Sequence, residues 1–352
     1  MEEHEYDSNS NPPLMSTYKH LFVEQHHLDM EMGAVDVDEC ELPVIDLAGL
    51  IMESSSAEVC RADMVRAASE WGFFQVTNHG VPQALLRELH DAQVAVFRRP
   101  FQEKVTERLL DFSPESYRWG TPTAKCLEQL SWSEAYHIPV IMTTPRPSTS
   151  IDVRVRARAV IEEVSRAMYE LAQKLAEILM RGLPGAGETM VTTREETCFL
   201  RLNRYPPCAM AMGGFCFGLC PHTDSDLLTI VHQQQDTVGG LQLLKGGRWV
   251  AVEPNPSTLI VNVGDLLQAW SNDVYKSVEH RVMANATLDR FSMAFFLCPS
   301  HDTLITSHVH DDDAHYRSFT FGEYRKQIMD DVRSTGRKIG LHRFRTRYDR
   351  ST

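Results

Sequence analysis

The feature that most constrains the fold is a series of short apolar runs between residues 198 and 299. They are CFLRLNRY, LLTIVHQ, GLQLL, RWVAV, TLIVNVG, SVEHRVMA and RFSMAFFLCP. Each run is rich in β-branched or aromatic residues, and glycine, proline, asparagine or aspartate separates it from the next. Short strands at such intervals are typical of an all-β sandwich or barrel. The sequence therefore predicts one β core in this part of the chain.

Helical and strand patterns alternate before this β-rich part. The stretch AEVCRADMVRAASE predicts a helix, WGFFQV a short strand, and PQALLRELHDAQVAVF a second helix. A long helical segment follows, in which one apolar face is formed by Val164, Met168, Leu171, Leu175 and Ile178. After the β-rich part, FTFGEYRKQIMDDVRSTGRK returns to a helical pattern. The predicted fold class is α+β, with helices wrapped around one β core.

This pattern divides the chain into four parts. Residues 1–40 carry few aromatic and many polar or acidic side chains, so we expect a disordered tail there. A mixed α/β amino-terminal region is expected over 41–195 and the β core over 196–305. Residues 306–352 are expected to form a carboxyl-terminal helix and tail that pack on the core.

The charge balance excludes several classes of partner. The formal net charge is -13, from 48 acidic and 35 basic residues, and this acidity would repel nucleic acid or an anionic membrane. No apolar run approaches the roughly 20 residues that span a bilayer, and the polar, acidic opening differs from a signal peptide. Eight cysteines without a CxxC pair suit reduced thiols. We expect a cytoplasmic or nucleocytoplasmic protein with small-molecule partners, and its oligomeric state stays open.

A candidate metal site begins with the stretch GLCPHTDSD. His222 and Asp224 are two residues apart, so they share a face if the segment is extended. In SVEHRVMA, the two-residue period of a strand places Val278, His280 and Val282 on one face, which should be buried. Two imidazoles and one carboxylate form a facial triad, which suits non-haem Fe(II) better than a closed zinc site. The alternative is a core histidine that bonds to a backbone carbonyl.

Ten residues after His280, the stretch RFS places Arg290 and Ser292 on one strand face. A guanidinium beside a hydroxyl is matched to a carboxylate, through bidentate bonds that lysine cannot reproduce. A buried Arg290 without such a partner would be costly in free energy. The alternative is an ordinary surface strand that happens to carry arginine and serine.

Four motifs together resemble the plant 2-oxoglutarate and Fe(II)-dependent dioxygenases. They are WGFFQVTNHGVP, NRYPPC, HTD and RFS, and the resemblance runs from about Leu42 to about Gly340. It implies a double-stranded β-helix, or jelly roll, in agreement with the β-rich runs. It also implies that the iron ligands are His222, Asp224 and His280, and that the co-substrate is contacted by Arg290, Ser292, Tyr205 and Asn203. NRYPPC departs at Arg204 from the commoner NYYPPC form, which leaves Tyr205 in place.

The same resemblance implies the cofactors and the reaction type. Fe(II), 2-oxoglutarate and O2 would be required, with ascorbate as the reductant. The reaction would hydroxylate an aliphatic C–H while 2-oxoglutarate is converted to succinate and carbon dioxide. No side-chain general base is needed for this chemistry, so we expect no catalytic residue beyond the metal site. The protein's task is to position the correct C–H and to exclude water.

Three further stretches resemble gibberellin 2-oxidases of the subclass that acts on C20 gibberellins: YRWGTPTA, QLSWSEAYHIPV and CFLRLNRYPPC. The resemblance implies hydroxylation at carbon 2β, which inactivates the hormone pathway. Such a diterpenoid acid needs an apolar pocket with a cation for its carboxylate. The candidate cation is Arg118, and the neighbouring candidates are Tyr117, Trp119, Trp132 and Tyr136. The competing interpretation of Arg118 is a packing or cation–π element.

The sequence is also compatible with two other functions. One is a sibling activity with the same metal site, such as gibberellin 20- or 3-oxidation or another small-molecule hydroxylation. The other is a hormone-binding protein that keeps the fold without the chemistry. The complete set of three metal ligands with Arg290 and Ser292 argues against the second, because a lost reaction gives no reason to keep those costly polar groups.

Overall fold

The computed structural model describes ten segments of the chain: residues 9–25, 37–51, 54–106, 116–121, 123–140, 153–183, 191–209, 216–234, 238–309 and 313–346. The helices are α1 (Leu14–Gln25), α2 (Ser54–Glu70), α3 (Gln83–Phe97), α4 (Phe101–Thr106), α5 (Val153–Arg181), α6 (Asp265–Trp270) and α7 (Phe321–Thr335). Within these segments, no helix is both long enough and apolar enough to cross a lipid bilayer.

The strands are β1 (Asp38–Cys40), β2 (Val44–Asp46), β3 (Phe73–Thr77), β4 (Tyr117–Trp119), β5 (Glu134–Pro139), β6 (Phe199–Tyr205), β7 (Phe217–His222), β8 (Leu228–Gln233), β9 (Leu241–Lys245), β10 (Arg248–Val252), β11 (Leu259–Val263), β12 (His280–Met283), β13 (Arg290–Leu297), β14 (Leu304–Ile305) and β15 (Phe319–Thr320). Every predicted β-rich run contains one of them. Strand β7 has no matching run, because Gly218 and Pro221 interrupt its apolar pattern.

Two sheets form the core. The larger has the strand order β2-β3-β11-β8-β13-β6-β5-β4, and the smaller has the order β1-β10-β9-β12-β7. Residues of both sheets line one cavity, so the sheets face each other as in a jelly roll. The predicted fold class is confirmed. Strands of the amino-terminal region extend both edges of the larger sheet, and the division at residues 41, 196 and 306 stays a prediction.

Side chains of the larger sheet alternate between the cavity and a helix-covered core. On β6, Arg201 and Asn203 line the cavity, whereas Leu200 and Leu202 are buried in the main apolar core. Helix α5 covers that outer face with its predicted apolar stripe: Val164, Met168, Leu171 and Leu175 are buried, and Ile178 is partly buried. This alternation follows from the two-residue period of a strand. It decides which side chains can reach the site.

The expected disordered tail is corrected over residues 9–25, which contain α1, and over Asp38–Cys40, which form β1 and pair with β10. Leu14, Tyr18, Leu21 and Phe22 are all buried on α1, and Phe22 meets Trp132 edge to face with ring centroids 6.2 Å apart. Their spacing of four, three and one residues places them on one helix face. The polar average composition of residues 1–40 hid this short apolar stripe. Residues 1–8 and 26–36 of the expected tail lie outside the described residues.

Candidate active site

Two imidazoles and one carboxylate converge between the sheets. His222 at the end of β7 lies directly opposite His280 at the start of β12. Asp224 Oδ1 is 3.6 Å from His222 Nε2 and 3.8 Å from His280 Nε2. The three ligand atoms lie within 4.8 Å of one another, which is close enough for His222, Asp224 and His280 to bind one metal ion together. The structure thus brings together the three residues predicted as ligands.

Neighbouring hydrogen bonds aim these ligand atoms at a common point. The Nδ1 atoms of His222 and His280 lie 2.8 Å from the carbonyl of Cys220 and 3.1 Å from that of Val278. A carbonyl accepts only, so each Nδ1 carries the proton and each Nε2 keeps its lone pair. Such outer contacts are typical of metal-binding histidines.

The carboxylate is fixed in the same way. Thr229 Oγ1 donates to Asp224 Oδ2 at 2.6 Å, and Asn262 Nδ2 donates to the same oxygen at 2.5 Å. Oδ1 therefore stays available on the side of the histidines. Burial raises the pKa of Asp224, but the nearby imidazoles and then these two donors together hold it below its usual value. Asp224 is therefore ionised at neutral pH.

The donor set fits Fe(II). Burial, helped by the nearby His280, lowers the pKa of His222 to about 3, so this imidazole is neutral at pH 7 and able to bind a metal. The carboxylate compensates part of a divalent charge, and the two imidazoles with this carboxylate leave three octahedral positions open. The competing interpretation of His280 as a core histidine explains its Nδ1 bond but leaves the convergence of the Nε2 atoms unexplained.

The four residues predicted to contact the co-substrate also share one face. Arg290 on β13 pairs with Tyr205 on β6, and Ser292 pairs with Asn203. All four line the cavity. Arg290 is 2% exposed, and its guanidinium lies 5.1 Å from the centre of the Tyr205 ring. Burial lowers the pKa of Arg290, whereas Tyr205 opposes this effect.

Two nitrogen donors of Arg290, unpaired within the described segments, mark a place where an anion fits. Arg290 Nη2 donates to Gln233 Oε1 at 3.0 Å, but among the described residues Nε and Nη1 of this buried guanidinium have no acceptor. A buried cation without a counter-ion is costly. A carboxylate that accepts from Arg290 and Ser292 removes that cost, which fits the distal carboxylate of 2-oxoglutarate.

Three residues that the sequence patterns do not single out position this site: Gln93, Gln233 and Thr229. Gln93 on α3 donates through Nε2 to the backbone carbonyls of Asn203 and Ser292, at 2.8 and 3.1 Å. Gln233 holds one end of Arg290, and Thr229 holds Asp224. Gln233 and Thr229 are four residues apart on β8, so strand alternation was the available signal. Nothing local in the sequence distinguishes Gln93 from other polar helix residues.

The cavity has a volume of about 420 Å³. Its apolar lining includes Phe199, Phe296, Val231, Leu241, Ile328 and Met329. The ring of Phe199 stacks on Phe296 and on His137, with centroid distances of 4.4 and 4.0 Å. Helix α7 contributes to the lining beside the two sheets, so a ligand would lie among the sheets and this helix. The shape and chemistry suit a rigid apolar molecule with an anionic group.

The predicted substrate residues divide by strand face. Arg118 lines the cavity, whereas its neighbours Tyr117 and Trp119 do not appear in the lining, because adjacent strand residues point to opposite faces. Tyr136 is buried in the main core, and its ring lies 5.2 Å from that of Phe97. Trp132 packs in the separate cluster that includes α1. The structure therefore brings only Arg118 of these five to the cavity.

Tyr117 instead belongs to a buried ionic network. Glu134 accepts from Tyr117 Oη at 2.5 Å and pairs with Lys104 Nζ at 2.5 Å and Arg204 Nη1 at 2.8 Å. Arg204 also pairs through Nε with Asp289 Oδ1 at 2.9 Å. This explains the departure from NYYPPC: Arg204 faces away from the cavity, where its charge is matched by two carboxylates.

Comparisons with known proteins agree with this geometry. The 2OG-Fe(II) oxygenase superfamily matches residues 196–299, and the family described as non-haem dioxygenase in morphine synthesis N-terminal matches residues 42–155. Gibberellin 2-beta-dioxygenase 5 of Oryza sativa subsp. japonica is 91% identical over 99% of this chain and 100% of that protein. Gibberellin 2-beta-dioxygenase 8 of Arabidopsis thaliana is 47% identical, covering 88% of each chain. The crystal structure of JOX2 in complex with 2OG, Fe and JA has a TM-score of 0.70 and 28% identity, covering 92% of this chain and 97% of that one.

Proposed function

Because this chain belongs to the 2OG-Fe(II) oxygenase superfamily, we propose that it hydroxylates a gibberellin at carbon 2 in the β orientation. C20 gibberellins are the proposed preferred substrates, and the product is inactive in the hormone pathway. The observation that carries the proposal is the 91% identity, over essentially the whole chain, to a relative named for this reaction. We also propose that the enzyme acts in the cytoplasm or the nucleus, in keeping with the sequence-based expectation.

The residues of the metal site and of the co-substrate clamp each have a role in this reaction. His222, Asp224 and His280 hold Fe(II), and Arg290 with Ser292 holds the distal carboxylate of 2-oxoglutarate. Tyr205 and Asn203 complete the co-substrate pocket beside them. When bound, iron with 2-oxoglutarate and O2 supplies the oxidising power that converts a C–H into a C–OH and releases succinate and carbon dioxide.

The rest of the cavity positions the substrate. Its apolar lining around Phe199 and Phe296 suits the fused carbon rings of a gibberellin, and it reduces the access of water to the reacting centre. Arg118 is the proposed contact for a substrate carboxylate. Support for the C20 preference comes from the resemblance of YRWGTPTA and QLSWSEAYHIPV to the C20 subclass.

Product identification tests the assignment. Purified enzyme is incubated with Fe(II), ascorbate, 2-oxoglutarate and a panel of C20 and C19 gibberellins, and the products are identified by mass spectrometry against 2β-hydroxylated standards. We expect 2β-hydroxylated product, formed faster from C20 than from C19 gibberellins, with one succinate released per product.

The Asp224→Ala variant is the control, because it removes a metal ligand and should form no product. Product oxidised at carbon 20 or hydroxylated at carbon 3 would contradict the assignment in favour of a sibling activity. Faster turnover of C19 gibberellins would contradict the C20 preference alone. Gibberellin binding without substrate-dependent succinate would favour the non-catalytic alternative.

A further inference from the structure

We propose that Arg118, Arg201 and Arg325 form a second anion site in the cavity, and that this site selects a substrate with two carboxylates over one with a single carboxylate. All three residues line the cavity. The inference rests on the proposed function, because it concerns the substrate of the same active site. Neither Arg201 nor Arg325 stood out in the sequence.

The three guanidinium groups come from different elements. Arg118 lies on β4, Arg201 on β6 and Arg325 on α7. Arg201 is directly opposite His137 of β5, and His137 is on the same strand face as Ala135, which pairs with Arg118. Both strands therefore present these arginines to the cavity, and α7 brings the third.

The charges of all three arginines act on one imidazole. Burial and then the positive charges of Arg201, Arg118 and Arg325 lower the pKa of His137 to about 4. His137 is therefore uncharged at neutral pH, and it stacks on Phe199 at 4.0 Å. The arginines thus lie close to a neutral, partly apolar part of the cavity wall and create a local positive field in a protein whose net charge is -13.

None of the three has an acidic partner within the described part of the chain. Arg201 Nε donates to the side-chain oxygen of Asn203 at 2.8 Å, a neutral acceptor. Arg325 lies over the ring of Phe321, 5.8 Å from its centre. Unpaired guanidinium groups that line a cavity are well suited to carboxylates, since they form charge-assisted and often bidentate hydrogen bonds.

This site is separate from the co-substrate clamp. Arg201 pairs across the sheet with Ala294, which is four residues along β13 from Arg290. At about 3.3 Å per residue, the backbones at Arg201 and Arg290 are roughly 13 Å apart along the strands, and the co-substrate residue Asn203 lies on the same face between them. The cavity therefore has one cationic end for 2-oxoglutarate and another for the substrate.

The number of charges favours a dicarboxylate. One substrate carboxylate would leave two of the three positive charges uncompensated, whereas two carboxylates leave one. A C20 gibberellin with two free carboxylates meets this requirement better than a C19 gibberellin with one. Charge matching of this kind discriminates mainly by penalising the wrong ligand.

Binding to the anaerobic Fe(II) and 2-oxoglutarate holoenzyme tests the inference by calorimetry. The variants are Arg118→Gln and Arg325→Gln, and the matched control is Arg333→Gln, which removes the same charge from α7 outside the cavity lining. We expect the Kd of the dicarboxylic C20 gibberellin to rise about tenfold in each cavity variant. The Kd of the monocarboxylic C19 gibberellin should rise less than threefold, and Arg333→Gln should change neither.

Equal losses for the two gibberellins would overturn the inference, as would unchanged Kd values in both cavity variants. A loss of the same size in Arg333→Gln would also overturn it, because the effect would then reflect overall charge. The proposed function fails separately if no 2β-hydroxylated product forms. Selective loss of dicarboxylate binding without that product would support the inference and reject the reaction.

Discussion

Replacing Arg290 with lysine tests the co-substrate clamp most directly. The guanidinium is 2% exposed, and one of its nitrogens is already bound to Gln233. The other two, Nε and Nη1, have no acceptor among the described residues. Lysine keeps the positive charge but offers one compact nitrogen, which cannot bind two carboxylate oxygens in a fork.

The expected magnitude follows from one lost bond. A hydrogen bond to a charged group contributes about 1.5 to 3 kcal/mol, and each 1.4 kcal/mol corresponds to a factor of ten. The KM for 2-oxoglutarate in Arg290→Lys should therefore rise by about 10- to 150-fold. The rate at saturating 2-oxoglutarate should change much less, because the lost contact binds the distal carboxylate and takes no part in the oxidation of the C–H.

The assay is succinate formation as a function of 2-oxoglutarate concentration, with the gibberellin held saturating. Arg204→Lys is the matched control, because Arg204 lies on the adjacent strand but faces away from the cavity and pairs with Glu134. It should lower the melting temperature without raising the KM. An unchanged KM in Arg290→Lys, or an equal rise in both variants, would refute the assigned clamp.

Three further predictions concern the metal site and the cavity wall. Asp224→Ala should abolish gibberellin-dependent succinate and Fe(II) binding while circular dichroism stays unchanged, and retained turnover would contradict its role as a ligand. Thr229→Val removes a donor to Asp224 and should weaken Fe(II) binding about 10- to 100-fold in a metal titration; unchanged affinity would count against this positioning role. The pKa of His137 falls from 6.5 to about 4 on folding, so the unfolded chain binds more protons in that interval and stability falls as the pH drops through it. In urea unfolding at pH 7 and pH 4, the free energy of unfolding of His137→Phe should fall less with pH than that of the parent, by up to about 3 kcal/mol. Identical pH profiles for the two proteins would contradict the lowered pKa of His137.

Local patterns in the sequence were sufficient for much of the fold and for the chemical centre. The β-rich runs and the apolar face of α5 depend on residues close together in the chain, and both are confirmed. The pair His222 and Asp224 could also be predicted locally, because residues two apart on an extended segment share a face. Strand alternation also placed Arg290 and Ser292 together.

The substrate residues illustrate the opposite case. Adjacent positions on β4 face opposite sides, so Arg118 reaches the cavity while Tyr117 bonds to Glu134. The short run YRW does not tell which face is turned toward the cavity, because Tyr117 and Trp119 are only partly buried and Arg118 is exposed. Helix α1 differs, because its apolar stripe has a local helical spacing that the polar composition of residues 1–40 obscures, and the structure adds that Trp132 and its cluster bury it.

By itself, the sequence determined most of the segments that become strands or helices, α1 and β7 excepted, and the residue types that could bind iron and a carboxylate, because these properties follow from local spacing and side-chain chemistry. Tertiary structure alone decided that His280 lies opposite His222, through the register of β12 and β7. It also decided that Arg201 and Arg325 join Arg118 around one cavity wall. The physical reason is that register and helix docking depend on packing between elements far apart in the chain, and that packing selects which of two equally possible faces is turned inward.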